Sequence, residues 1–163
     1  MATNDREIER KFLLRALPAA AAAAPAVEID QGYLPGERIL ERIRRIRMME
    51  GGAPVTPQQA RYFRTVKLGS GVERLEFEEE TTEVFFLTVW PLTRGRRVQK
   101  RRYTIAAGTD EWEVDDFIDR PLVLAEIELE RADQPANPPL WLVPLIEREV
   151  TNDPEYSNYA LAR

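Results

Sequence analysis

The sequence contains no cysteine and no histidine. The first absence removes disulfides, thiolate nucleophiles and thiolate zinc sites; the second removes imidazole ligands and every Ser-His-Asp arrangement. Any metal must therefore be held by oxygen, which selects a hard cation such as Mg²⁺ or Mn²⁺. A basic surplus is missing too: 23 Lys and Arg stand against 28 Asp and Glu, for a net charge of −5. That balance argues against a nucleic-acid partner, because general binders need a net basic face to displace counterions from phosphates. No apolar run approaches the roughly 20 residues of a membrane span, and residues 1–11 are too charged for a signal peptide. A cytoplasmic protein without a membrane partner is expected.

What is present suits one domain over residues 1–163: 44% of the residues are hydrophobic, enough for a core of its own. Residues 7–14 alternate charged and apolar and read as a first strand. An alanine tract between Pro18 and Pro25 predicts a short helix or ordered loop, since the prolines limit its length. Residues 27–34 and 39–48 are strand candidates joined by a turn at Pro35-Gly36, and residues 50–59 read as a mobile hairpin loop. Residues 62–68 and 73–79 predict a hairpin around Gly69-Ser70-Gly71. Residues 80–92, rich in aromatic and branched side chains, suit a helix packed on a sheet and ending near Pro91. Three more strands follow at 98–105, 111–117 and 122–130. Asn152-Asp153-Pro154 then predicts a short helix over 155–161. The expected architecture is mainly β, with about eight antiparallel strands closing into a barrel and a few short helices packed outside.

Side chains two apart on a strand share a face. The rule groups Glu7 with Glu9 and Lys11, Arg42 with Arg44, Arg74 with Glu76 and Glu78, Lys100 with Arg102, Glu113 with Asp115, and Glu126 with Glu128; Lys67 stands opposite the Arg74 stripe. Any one of these stripes is most simply a solvated face. So many together imply a shared bore if the sheet closes. Buried charges of both signs cost several kcal/mol each unless paired, on the order given by ion desolvation. Such a bore suits a metal-bound polyphosphate, with guanidinium and ammonium groups for phosphate oxygens and carboxylates for the metal.

At this point the residues resemble a family. Glu7-Ile8-Glu9-Arg10-Lys11 is similar to the Glu-x-Glu-x-Lys signature of the CYTH domain, or triphosphate tunnel metalloenzymes. The resemblance continues in order through Gln31-Gly32-Tyr33-Leu34, Arg42-x-Arg44, Thr65-Val66-Lys67, Arg74-x-Glu76-x-Glu78, Trp90-Pro91 and Gly95-Arg96-Arg97-Val98. It resumes at Lys100-x-Arg102-Tyr103, Glu113-Val114-Asp115, Glu126-Ile127-Glu128 and Glu149-Val150-Thr151, and so spans nearly the whole chain. It is nearest to the compact bacterial inorganic triphosphatases. What it implies is an eight-stranded tunnel requiring Mg²⁺ or Mn²⁺ and hydrolysing inorganic triphosphate to pyrophosphate and phosphate, with a homodimer in some members. By the same resemblance Glu7, Glu9, Glu126 and Glu128 are metal-side carboxylates. Glu76, Glu78, Glu113 and Asp115 hold a second cation, order its water or anchor basic neighbours. Lys11, Arg42, Arg44, Lys67, Arg74, Lys100 and Arg102 grip phosphates, and Lys100 with Tyr33 supplies the base or, for Lys100, one more phosphate contact.

Alternatives with the same signature are an adenylate cyclase, a thiamine triphosphatase, or a polyphosphate-binding module that does not hydrolyse. The first two need a ring-recognition surface, for which Tyr33, Tyr62 and Trp112 are the candidates. Two departures from the pattern stand out. A second Arg-x-Arg, Arg45-x-Arg47, falls on the opposite strand face, and Ser157 and Tyr159 stand where some relatives carry lysines.

Overall fold

The computed structural model describes residues 8–36, 39–50, 52–54, 60–68 and 75–163. Glu7, Arg74, the turn at 69–71 and most of the expected loop at 50–59 lie outside them. Among the described residues there are ten strands: β1 (Ile8–Leu14), β2 (Ala26–Tyr33), β3 (Leu40–Glu50), β4 (Ala53–Pro54), β5 (Arg61–Leu68), β6 (Leu75–Thr81), β7 (Arg97–Ala107), β8 (Asp110–Phe117), β9 (Val123–Leu129) and β10 (Ile146–Glu149). All pair antiparallel in the order β10-β1-β9-β8-β7-β2-β3-β5-β6, with the two-residue β4 on β3. Among the described residues this ladder stays open: no pairing joins β6 to β10 or β1. The mainly antiparallel β architecture expected from the sequence is present, while closure into an eight-stranded barrel is not made by the strand pairings of the described residues. The two extra strands are too short for an alternation signal.

Alternation divides the sheet into two unlike faces. On the convex face Phe12, Leu14, Ile105, Trp112, Val114, Ala125, Ile127 and Leu129 form the main apolar core. The segment around Ala136 and Leu142 covers it together with Ala21 of the 3-10 turn Ala19–Ala23. That turn is all the alanine tract forms: proline before and after it confines the helix to a few residues. A second convex cluster packs Ile43 and Tyr62 under Phe86 of helix α1 (Glu83–Val89). Thr82 caps α1 by accepting a bond from the Phe85 amide at 3.1 Å, and Pro91 stands in the 3-10 turn that follows. The expected tail helix is instead a 3-10 turn at Pro154–Tyr156, capped by Asp153, followed by helix α2 (Asn158–Leu161), capped by Ser157. No helix among the described residues is long and apolar enough to cross a membrane.

The concave face carries the charges. At one end it turns apolar, where Tyr33, Val98, Phe117 and Leu124 meet Leu13, Tyr159, Leu161 and Ala162. Along β1, β8 and β9 the sheet therefore presents its apolar side outward to covering segments and its ionic side inward, while on β2, β3 and β5 the outer face carries ion pairs of its own, such as Arg45 with Asp30 and Arg64 with Glu41.

Candidate functional site

Twelve residues line a cavity of about 190 Å³ on the concave face. They come from eight strands and α2: Glu9 from β1, Gln31 from β2, Arg42 and Arg44 from β3, Lys67 from β5, Glu76 and Glu78 from β6, Lys100 and Arg102 from β7, Glu113 from β8, Glu126 from β9, and Asn158. Five are cations, five are carboxylates, and none is aromatic or aliphatic. Glu9 and Glu76 belong to strands near opposite ends of the ladder, so the sheet curls far enough to bring them to one space.

The wall carries two ion-pair networks, one in each half. In the first, Arg102 contacts Glu113, binds Asp115 through Nε at 2.7 Å and Nη2 at 2.8 Å, and reaches Glu126 at 3.1 Å. Lys100 Nζ donates to Asp115 at 2.5 Å and to Asn158 Oδ1 at 3.2 Å. Lys11 Nζ pairs with Glu126 at 2.9 Å and stands 3.6 Å from Glu9. In the second half, Arg42 donates to Thr65 Oγ1 at 3.0 Å, Glu78 at 3.2 Å and Glu76 at 3.3 Å. Arg44 binds Glu78 at 2.8 Å, Lys67 binds Glu76 at 2.7 Å, and the Thr65 hydroxyl donates to Glu78 at 2.7 Å.

Burial and neighbours shift these groups in opposite senses. Burial alone would raise Asp115, but Arg102 and Lys100 outweigh it and hold the carboxyl well below its usual range. Burial, with Arg102 beside it, lowers Lys100 in spite of Asp115. Lys11 is raised, since Glu126 and Glu9 overcome its desolvation, and Arg102 is held up by its three carboxylates in the same way. Burial raises Glu113, helped by Asp115 and Glu126 and opposed by Arg102. Arg44 is lowered by burial and by Arg42, and its buried Nε has no partner among the described residues. A guanidinium N–H withdrawn from water and unbonded is a donor awaiting an acceptor.

The structure brings together Glu9, Lys11, Arg42, Arg44, Lys67, Glu76, Glu78, Lys100, Arg102, Glu113, Asp115 and Glu126; Glu7 and Arg74 lie outside the described residues. Asp115 is wholly engaged by Lys100 and Arg102, the anchoring arrangement among those considered for it. Glu128 is exposed at the rim, directly across from Glu9 in the β1–β9 register. Arg45 and Arg47 point the other way, onto Asp30, and Arg47 also onto Glu28. Trp112 and Tyr62 are buried on the convex face, and Tyr33 packs edge-to-face against Tyr159 with ring centroids 5.2 Å apart. The three aromatics considered for ring recognition are therefore all engaged elsewhere. Gln31 in the lining and Thr65 buried behind it were legible on the charged face, because each stands two positions from a chosen residue; Asn158 carried no strand parity to reveal it.

Among the described residues, no three Asp or Glu side chains stand at metal-ligand spacing. The donor chemistry nevertheless fits a hard divalent cation. All donors are carboxylates, and Glu9 facing Glu128 is a like-charge cross-strand pair that a cation would relieve.

No family model matches the chain. Among curated proteins it is 37% identical over 163 residues to an inorganic triphosphatase of Nitrosomonas europaea, covering 96% of each. It is also 31% identical over 167 residues to an inorganic triphosphatase of Acetivibrio thermocellus, covering 97% of this chain and 94% of that one. A crystal structure of an inorganic triphosphatase superposes with a TM-score of 0.65 at 34% identity, covering 96% of this chain and 93% of that one. A Pyrococcus horikoshii protein, at TM-score 0.50 and 18% identity, shares the fold alone.

Proposed function

The chain belongs to the inorganic triphosphatase family, and from that premise we propose that it hydrolyses inorganic triphosphate to pyrophosphate and phosphate within the ion-paired cavity, with Mg²⁺ or Mn²⁺. The observation that carries this reading is the wall itself: equal numbers of cations and carboxylates, with no apolar lining. A bare polyanion would leave the carboxylates repelled. A polyanion carrying its own divalent cation satisfies both signs, phosphate oxygens replacing carboxylates on the guanidiniums and the freed carboxylates facing the metal. Glu9, Glu126 and Glu128 are the residues that would hold it, with Glu7 by resemblance. When bound, the cation supplies charge neutralisation of phosphate oxygens.

The remaining chemistry belongs to the chain. Arg42, Arg44 and Lys67 grip one end of the substrate, and Lys11, Lys100 and Arg102 the other, so that water attacks the terminal phosphorus in line with the bridging oxygen that leaves with pyrophosphate. Burial and Arg102 lower the pKa of Lys100, so its ammonium, held in place by Asp115, gives up a proton more readily, and the amine so formed accepts the proton of the attacking water. Burial keeps the Tyr33 phenol protonated, which makes it a donor rather than a base. The presence of β1 and β6 side chains on one cavity supports a tunnel of the CYTH type, and the absence of a free aromatic face in the wall weighs against nucleotide or thiamine triphosphate.

The test is phosphate release from tripolyphosphate, ATP, thiamine triphosphate and pyrophosphate, each with Mg²⁺ or Mn²⁺ and with chelator. Turnover fastest on tripolyphosphate and lost on chelation is expected. ATP cleaved at least as fast as tripolyphosphate, or undiminished activity in chelator, would reject the substrate and the metal respectively.

A further inference from the structure

Ten charged side chains and two neutral ones form the cavity wall. Of the neutral pair, Gln31 spends its amide nitrogen on the Tyr33 hydroxyl at 3.0 Å. Asn158 is placed differently: it alone among the lining residues comes from outside the sheet, at the start of α2. That segment is tied down at several points. Tyr159 packs on Tyr33, Arg120 donates to the Leu161 carbonyl, and the Ser157 hydroxyl accepts from the Ala160 amide at 3.1 Å.

The orientation of the Asn158 amide follows from its neighbour. Lys100 Nζ donates to it at 3.2 Å, and an ammonium can only donate, so the carboxamide oxygen must face Lys100. The NH₂ group is thereby turned away from Lys100, and no acceptor among the described residues takes it. Every cation in the wall except for part of Arg44 is already engaged by a carboxylate. A neutral donor needs no ion pair broken before it can bind an oxygen, and it adds no positive charge beside Lys100.

We infer that Asn158 is a phosphate-binding residue, its amide nitrogen donating to a substrate phosphoryl oxygen while its amide oxygen holds Lys100 against the same group. This rests on the triphosphatase reading above. The reach of the tail therefore contributes to substrate affinity directly, through a bridge between the phosphoryl group and Lys100.

Asn158→Asp and Asn158→Leu separate the two ends of that bridge. The carboxylate keeps an acceptor for Lys100 but replaces the donor with a negative charge; leucine has similar bulk and neither function. The expected result for N158D is a KM for tripolyphosphate raised about tenfold or more, the scale of a lost hydrogen bond to a charged group, with its melting temperature near wild type. N158L should raise KM comparably and lower kcat as well. A residue that served Lys100 alone would leave N158D close to wild type and lower only kcat in N158L; either variant folded with unchanged KM overturns the inference. If the wild-type protein fails to turn over tripolyphosphate, the underlying triphosphatase reading fails instead.

Discussion

Lys100 and Asp115 form a 2.5 Å ion pair whose side chains are only 2% and 1% exposed, and Arg102 binds both oxygens of the same carboxylate. One carboxylate thus compensates two cations in a place water barely enters. Removing it strands Lys100, whose only other partner among the described residues is the neutral Asn158, and takes one of three carboxylates from Arg102; the penalty for an unpaired buried ion exceeds the worth of the pair itself. Asp115→Ala is expected to lose about 3–5 kcal/mol of stability on that scale, read from urea unfolding. A loss below about 1 kcal/mol, the scale of an exposed pair, would show the pair to be solvated.

The same pair predicts how acid acts. Asp115 and Glu78 both titrate below their ordinary values in the folded protein, because cations and hydrogen bonds favour their charged forms. A depressed carboxyl stabilises the fold above its unfolded pKa, about 3.9 for Asp and 4.3 for Glu, and loses that contribution as pH falls toward the folded value. Stability should fall steeply below about pH 4, and Asp115→Asn should flatten the slope. An Asp115→Asn curve parallel to wild type across that window would assign acid unfolding to other groups.

For Lys100 the kinetic signature is the test. Lys100→Ala is expected to lower kcat by at least about 100-fold, within the range of a lost general base, with a smaller change in KM. The opposite pattern, KM raised and kcat kept, would leave Lys100 as a phosphate contact.

Arg44 has a buried Nε without a partner among the described residues, and its charge is disfavoured by burial and Arg42. An anion relieves both conditions, so Arg44→Ala should raise the KM for tripolyphosphate about tenfold or more. Lysine at that position should rescue little, lacking the planar fork. Full rescue by Arg44→Lys would reduce the role to charge alone.

Gly32 lies on β2 with its bare Cα against Thr93, and an added Cβ would come within 2.7 Å of the buried Thr93 side chain. Thr93 cannot yield readily: its hydroxyl donates to the Trp90 carbonyl and accepts from Arg97 Nε, both at 2.8 Å. Gly32→Ala should cost about 1–3 kcal/mol as overpacking and disturb the neighbouring Gln31 and Tyr33. An unchanged melting temperature would mean that the clamp is loose.

Period-two alternation was enough to sort Lys11, Arg42, Arg44, Lys67, Lys100, Arg102 and Glu126 onto one face, since side-chain direction on a strand depends only on parity. Strands β1 to β3 and β5 to β9 were legible for the same reason, each being long enough to show the pattern. Other features were decided by the fold. β10 is four residues long and pairs with β1 across most of the chain, a contact no local pattern announces. The open ladder depends on how far the sheet curls, which parity does not set. Which carboxylate meets which cation is a matter of register between strands: Asp115 was one acidic residue among eight candidates until β7 and β8 set it between Lys100 and Arg102. Asn158 entered the site only because the tail packs back onto the concave face. Local chemistry determined the inventory of charges and the face they share; partner and position were left to tertiary structure, because both depend on residues far apart in the chain.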